Sequence, residues 1–142
     1  MNINIINFKE GKTFLATDSP VVNDKDYCET LTTPNILTYE YDGVRCKASG
    51  VGKSKETLIQ EAINSVLFNE WFYELHYDDT FEDVGLNAPF VYDHEEDGYY
   101  EVNSISNYID NCKNDDNYDN VIKKIIKLAK NEINIKIVEG IK

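Results

Sequence analysis

Gly50, Gly52, Lys53 and Ser54, inside "KASGVGKSKE" at residues 47–56, are residue types that can hold a phosphate. Backbone amides in a glycine turn and at a helix start attract an anion, and a lysine adds its charge. A nucleotide-phosphate loop needs Gly-x-x-x-x-Gly-Lys-Ser/Thr, and Lys47 stands where its first glycine belongs. Such a loop also follows a buried parallel strand, whereas Val44, Cys46 and Ala48 alternate here with Arg45 and Lys47. The expectation is a corner where a strand becomes a helix. Any anion there would meet helix-start amides with Lys53 and Lys55.

Other candidate chemistry is thinner. His76 and His94 lie beside carboxylates in "HYDD" and "HEED", but no His-x-x-x-His pair is present and both read as exposed side chains. "DDNYD" at 115–119 starts like a calcium loop, yet the required glycine is Asn120 and the closing glutamate is Ile126. Cys28, Cys46 and Cys112 are an odd, widely spaced set, which reads as reduced thiols used as small core residues. No nucleophile sits in a recognisable elbow, and the many Asp–Glu pairs single out none as acid and base. The sequence therefore points to no catalytic residue, no metal, no cofactor and no enzyme.

Strand, Gly-x-Gly-x-Ser-Lys, then a helix with small residues at intervals resembles the C-terminal half of a double-stranded RNA-binding domain. The likeness covers about residues 38–67 and rests on Gly50, Gly52, Ser54, Lys55 and Ala62. It implies glycines that turn a third strand into a last helix, with Gly50, Gly52, Lys53, Ser54 and Lys55 facing phosphates across the major groove. Glu56 replaces the second lysine of that pattern, Ile59 stands near another lysine position, and no first helix precedes the strands. Those departures remove most of the phosphate attraction.

The elements around these residues follow from periodicity. "NINIINF" alternates like a half-buried strand, and "KEGKT" turns it back into "TFLATD". Residues 19–34 read as a polar loop. "NILTYEYDGVRCKASG" is a hairpin about Asp42-Gly43. A long helix is expected from about Ser54, its N-cap, to Tyr77, with Glu56 and Glu61 near its positive end. On a helical wheel Leu58, Ile59, Ala62, Val66 and Tyr73 share the stripe that packs on the sheet. Leu67, Phe68, Trp71 and Leu75 form a second stripe, covered either by the later helices or by another chain. A second hairpin uses Asp97-Gly98. Helices follow at 104–112, through Ile105, Tyr108, Ile109 and Cys112, and at about 118–132, burying Ile122, Ile125, Ile126 and Ala129. "INIKIV" closes as a strand. The fold class is α+β, a largely antiparallel sheet with helices packed on one face, in a single domain spanning 1–142.

The net charge of −12 over 142 residues, with Arg45 the only arginine, selects among functions. Such a chain repels polyanions, so nucleic acid and anionic membranes are disfavoured. No secretion signal and no bilayer-length apolar run is visible, which suggests a cytoplasmic protein, in the host cytoplasm if viral. Heavy use of Asn, Ile, Lys, Asp and Tyr fits an AT-rich bacterial or viral genome. Together these features suggest a non-enzymatic acidic binding protein, an inhibitor of the phage or viral anti-defence or toxin-immunity kind. It would work as a nucleic-acid mimic toward a basic partner protein. Its expected contact residues are Leu67, Phe68, Trp71 and Leu75 as anchors, rimmed by Asp78, Asp79, Glu82, Asp83, Glu95, Glu96 and Asp97. The alternative is a degenerate RNA-binding domain, or an oligomer binding a nucleotide through the glycine turn. A homodimer or higher oligomer through the second helix stripe is the third expectation.

Overall fold

A computed structural model describes residues 1–17 and 28–139, with residues 14–17 and 28–30 described by their backbone alone. The fold is α+β with a mostly antiparallel sheet. The chain forms two compact units, residues 1–63 with 135–142, and residues 64–134.

The first unit carries β1 (Asn2–Lys9), β2 (Thr13–Thr17), β3 (Cys28–Thr32), β4 (Asn35–Tyr41), β5 (Val44–Gly50) and β8 (Lys136–Val138). Its main sheet has the order β5-β4-β1-β8, antiparallel except for the β1–β8 pair. The β4–β5 hairpin turns at Asp42 (φ 52°) and Gly43 (φ 77°), the two left-handed positions that a tight two-residue turn requires. Two expectations fail here. β1 does not fold back onto β2, because its partners are β4 and β8 while β2 pairs with β3. Nor is all of 19–34 a loop, since β3 lies within it; residues 18–27 fall outside the described residues. A β-bulge accounts for the uneven phase of β1. Ile3 and Ile5 point inward, Ile6 is the extra residue, and Phe8 then stands opposite buried Leu37.

Gly11 and Asn35 lock the approach to β4. A side chain at Gly11 would strike the Thr33 backbone, its Cβ only 1.9 Å from the Thr33 oxygen. The Gly11 amide donates to Asn35 Oδ1 at 2.6 Å, and Asn35 Nδ2 donates to the Lys53 carbonyl at 2.7 Å. One side chain thus ties the strand pair to the corner that starts the long helix.

That helix, α1 (Lys55–Asn69), begins at Ser54, whose Oγ accepts the Thr57 amide at 3.1 Å. Leu58, Ala62 and Val66 are buried, as the wheel requires. From Glu70 to Leu75 the chain continues as a π-helix, and the His76 amide bonds the Trp71 carbonyl five residues back. The extra residue in that turn shifts every later position. An α-helix would put Leu75 one turn below Trp71; instead Leu75 is 55% exposed and His76 takes the place, its ring 4.2 Å from the indole. Tyr73, expected on the buried stripe, is 53% exposed for the same reason.

The second unit holds the end of α1, the π turn, a short 3-10 turn (Glu82–Val84), β6 (Phe90–Asp93), β7 (Gly98–Glu101), α2 (Ile105–Asn111) and α3 (Tyr118–Glu132). Ser104 caps α2 by accepting the Asn107 amide, and Ile105, Tyr108, Ile109 and Cys112 are all buried at helical spacing. On α3 the buried line is Val121, Ile125 and Ala129, spaced four apart; Ile122 and Ile126 flank it half-buried rather than filling the core. Leu67, Trp71, Phe72, Phe81 and Tyr108 complete this core. Among the described residues, no helix is long and apolar enough to cross a membrane.

Candidate binding cleft

Charge is divided unevenly between the units. Residues 64–134 hold 16 of the 26 acidic side chains but only 5 of the 14 basic ones, a net of −11 out of −12. Between Glu70 and Asp119 there are 15 acidic residues and one cation, Lys113. Seven of the ten tyrosines lie in this unit as well.

A cleft of about 560 Å³ opens in the same unit, between the β6–β7 hairpin and the link from α2 to α3. That size is in the range of small-molecule pockets. Hairpin register supplies one wall. Val91 pairs with Tyr100 and Tyr92 with Tyr99, and the Tyr92 and Tyr99 rings meet edge to face at 5.3 Å. Asp97, at φ 49°, closes the turn and accepts the Tyr92 hydroxyl, while Asp93 Oδ1 accepts the Glu95 amide at 3.0 Å. His94 is exposed and packs edge-on against Tyr92.

The opposite wall is built by successive tight turns. The Asp115 amide bonds the Cys112 carbonyl, and the Tyr118 amide bonds the Asp115 carbonyl. This folds Asp115 back beneath α2, where the buried Tyr108 hydroxyl donates to its Oδ2 at 2.6 Å. Tyr118 stacks on Tyr108 at 5.7 Å. Burial pushes the Tyr108 phenol well above its ordinary range, with the Asp115 bond and charge adding to the effect. The Cys112 thiol is also raised by burial, with a bond from the Tyr100 hydroxyl pulling the other way. It is therefore a quiet thiol, not an activated nucleophile. Asp93 and Asp115 both help raise the Tyr100 phenol, after its neighbour Cys112 and burial. Carboxylates therefore act on the cleft from both walls.

The expected contact residues meet different fates. Leu67 and Trp71 are at most 2% exposed and cannot anchor a partner; they belong to the unit's own core. Phe68 is half-buried with its ring tilted against Phe72, whereas Leu75 is exposed. Asp79 is taken up by His76, and Asp83 exchanges hydrogen bonds with Thr80. Asp78, Glu82, Glu95 and Glu96 are exposed, the last two at the hairpin tip. The sequence reading singles out none of Tyr92, Tyr99 and Tyr100, and it weighs Asp115 and Asp116 only as the start of a calcium loop. The alternation in "FVYDHEEDGYYEV" holds a signal for the first three, but the pairing of hairpin with α2–α3 link has none.

His76 is not an exposed histidine. Its Nδ1 lies 2.7 Å from Asp79 Oδ2 and its Nε2 lies 2.7 Å from Glu132 Oε2, with only 18% of the side chain accessible. Burial lowers its pKa, but the bonds and charges of Glu132 and Asp79 outweigh it and the net direction is upward. Cys112 is buried and Cys46 half-buried, both free; the Cys28 side chain lies outside the described residues. Among the described residues no group of three or more His, Cys, Asp or Glu is placed to hold a metal ion.

At the glycine turn both lysines already have carboxylate partners. Lys53 Nζ sits 2.5 Å from Glu61 Oε1, and Lys55 Nζ sits 2.7 Å from Glu139 Oε1. Gly52 has φ +71°, which makes the sharp corner between β5 and α1. The turn is occupied by its own ion pairs. Comparison with protein-family models, with characterised proteins and with solved structures finds no match to this chain, so the geometry alone bears on function.

Proposed function

We propose that this chain is a non-enzymatic binding protein that docks a basic protein surface through its acidic, tyrosine-rich unit, residues 64–134. It acts by occupancy, as an inhibitor that takes the place of nucleic acid on its partner. The observation that carries this reading is the concentration of net charge: −11 in one unit and −1 in the other. A field of one sign speeds encounter with a cationic surface and repels polyanions. Exposed apolar side chains in the same unit, the aromatic Tyr99 at 73%, Phe90 at 60% and Tyr73 at 53% together with Leu75 at 55%, give the apolar contact that charge alone lacks. Burial of Leu67 and Trp71 moves the anchor role to these exposed residues.

The test is a titration of the whole protein with an arginine-rich polypeptide and, separately, with duplex RNA and duplex DNA at several salt concentrations. Expected is binding to the polypeptide that weakens steeply as salt rises, with no binding to either duplex. Tight capture of a duplex at ordinary ionic strength would overturn the proposal. Charge reversal of Asp78, Glu82, Glu95 and Glu96 to Lys should weaken polypeptide binding without unfolding the chain, because all four are exposed.

A further inference from the structure

We infer that the cleft between the β6–β7 hairpin and the α2–α3 link is a pocket for an arginine side chain presented by the partner. This rests on the docking proposal above and names where, and by what chemistry, the partner is recognised. Aromatic faces come from the hairpin: Tyr92 and Tyr99 in edge-to-face contact and Tyr100 beside them, the Tyr99 ring 73% exposed. Carboxylates come from the link, Asp115 and Asp116.

Asp115 is held in place. Its Oδ2 accepts the buried Tyr108 hydroxyl at 2.6 Å, which fixes the carboxylate and leaves Oδ1 to accept from a ligand. Asn111 and Asn114 line the same side. Among the described residues, no lysine or arginine lines the cleft, and His94 is the one lining side chain that can take up a proton to become cationic. A site with π faces, one fixed carboxylate, a second beside it and no lysine or arginine among its described lining residues is complementary to a cation. The fifteen acidic residues against one lysine from Glu70 to Asp119 reinforce that preference over a neutral or anionic ligand.

Guanidinium fits better than ammonium. It is planar, so it can lie on a tyrosine ring while its fork of N–H donors reaches a carboxylate edge-on. A lysine ammonium satisfies one of the two conditions at a time and is more strongly hydrated.

The experiment uses the full chain and N-acetyl-arginine amide, followed by amide-resolved NMR titration, with the citrulline and lysine analogues as controls. Shift changes are expected at residues 91–100 and 111–116, with the arginine probe about fivefold or more tighter than the citrulline one. Asp116→Asn and Tyr99→Ala alter exposed side chains and should each weaken the arginine probe about threefold to tenfold; Tyr99→Phe should keep its affinity. Equal binding of citrulline overturns the cationic assignment, and equal binding of lysine overturns the guanidinium assignment. Shifts confined to another region, or none at millimolar probe, overturn the pocket. If the arginine-rich polypeptide still binds the Asp116→Asn, Tyr99→Ala double variant at full strength, the pocket fails and the acidic docking reading stands. If the unaltered protein does not bind that polypeptide, the docking reading itself fails.

Discussion

His76 and Glu132, 56 residues apart in sequence, meet at 2.7 Å between Nε2 and Oε2, so the last turn of α3 is fastened to the end of the π-helical segment. Asp79 takes the other ring nitrogen at the same distance. Both nitrogens can donate only if the ring is an imidazolium, and its ring then lies over the electron-rich face of Trp71. The folded state raises the pKa of this group, through Glu132 and Asp79 against the opposing effect of burial. Its stabilising contribution is therefore fully present below the unfolded value of about 6.5 and is lost as pH rises through the higher folded value. Urea midpoints of the natural protein and His76→Gln should differ most near pH 6 and converge as the solution becomes alkaline. A difference that grows with pH would refute the clasp.

Trp71 is wholly buried, and its Nε1 has no hydrogen-bond partner among the described residues. An orphaned buried donor costs about 1–3 kcal/mol. Trp71→Phe removes that cost while losing part of the packing, so it should be much milder than Trp71→Ala, at about 3–5 kcal/mol. Denaturant midpoints of the two variants decide it. Equal losses would mean the indole nitrogen carries no penalty, as it would if a water reached it.

The places where the fold departs from local periodicity share a cause. Local periodicity marks α2, α3 and the β4–β5 hairpin, whose buried or half-buried residues recur at each element's own period, while turn residues at Asp97-Gly98 mark the second hairpin, none of whose strand residues is fully buried. It failed where one residue is out of phase. The β1 bulge at Ile6 and the π turn at Glu70–Leu75 each add a residue that a fixed 180° or 100° step cannot register. A helical wheel offers Trp71 as an outer anchor because it shows two stripes but not which neighbour covers the second. The cleft depends on pairing Tyr100 with Cys112 and Tyr108 with Asp115, contacts made by tertiary folding that no local spacing encodes.

Tyr108 and Asp115 should be coupled in stability as well as geometry. Tyr108→Phe leaves the ring in the core but removes a hydrogen bond to a carboxylate, a loss of about 1.5–3 kcal/mol. Asp115→Asn keeps an acceptor and should cost less than Asp115→Ala, which strands the buried hydroxyl. A double-mutant cycle between Tyr108→Phe and Asp115→Ala should show clear non-additivity in urea midpoints. Simple additivity would argue that the bond is broken in solution.

Gly52 stands in the left-handed region at φ +71°, with nothing within 4 Å of where a side chain would begin. The cost of Gly52→Ala is therefore conformational alone, about 1–2 kcal/mol, and Gly52→Asn should recover part of it. Thermal unfolding of the two variants measures this. If alanine is tolerated fully, the corner relaxes to another backbone path.

Lys53 and Lys55 offer the sharpest contrast between the acidic unit and the glycine turn. Each is paired to a carboxylate while about two-fifths of its side chain remains exposed, so each pair contributes at most about 1 kcal/mol. Changing both to Glu sets them against Glu61 and Glu139 and should lower stability modestly. Binding of an arginine-rich polypeptide through residues 64–134 should persist undiminished, or strengthen as two further negative charges join the field. A protein that engages RNA or a nucleotide at the turn would instead lose its ligand with the same double change. Direct titration of the double variant with the polypeptide therefore separates the two surfaces, and lost polypeptide binding in a folded variant would relocate the contact to the turn.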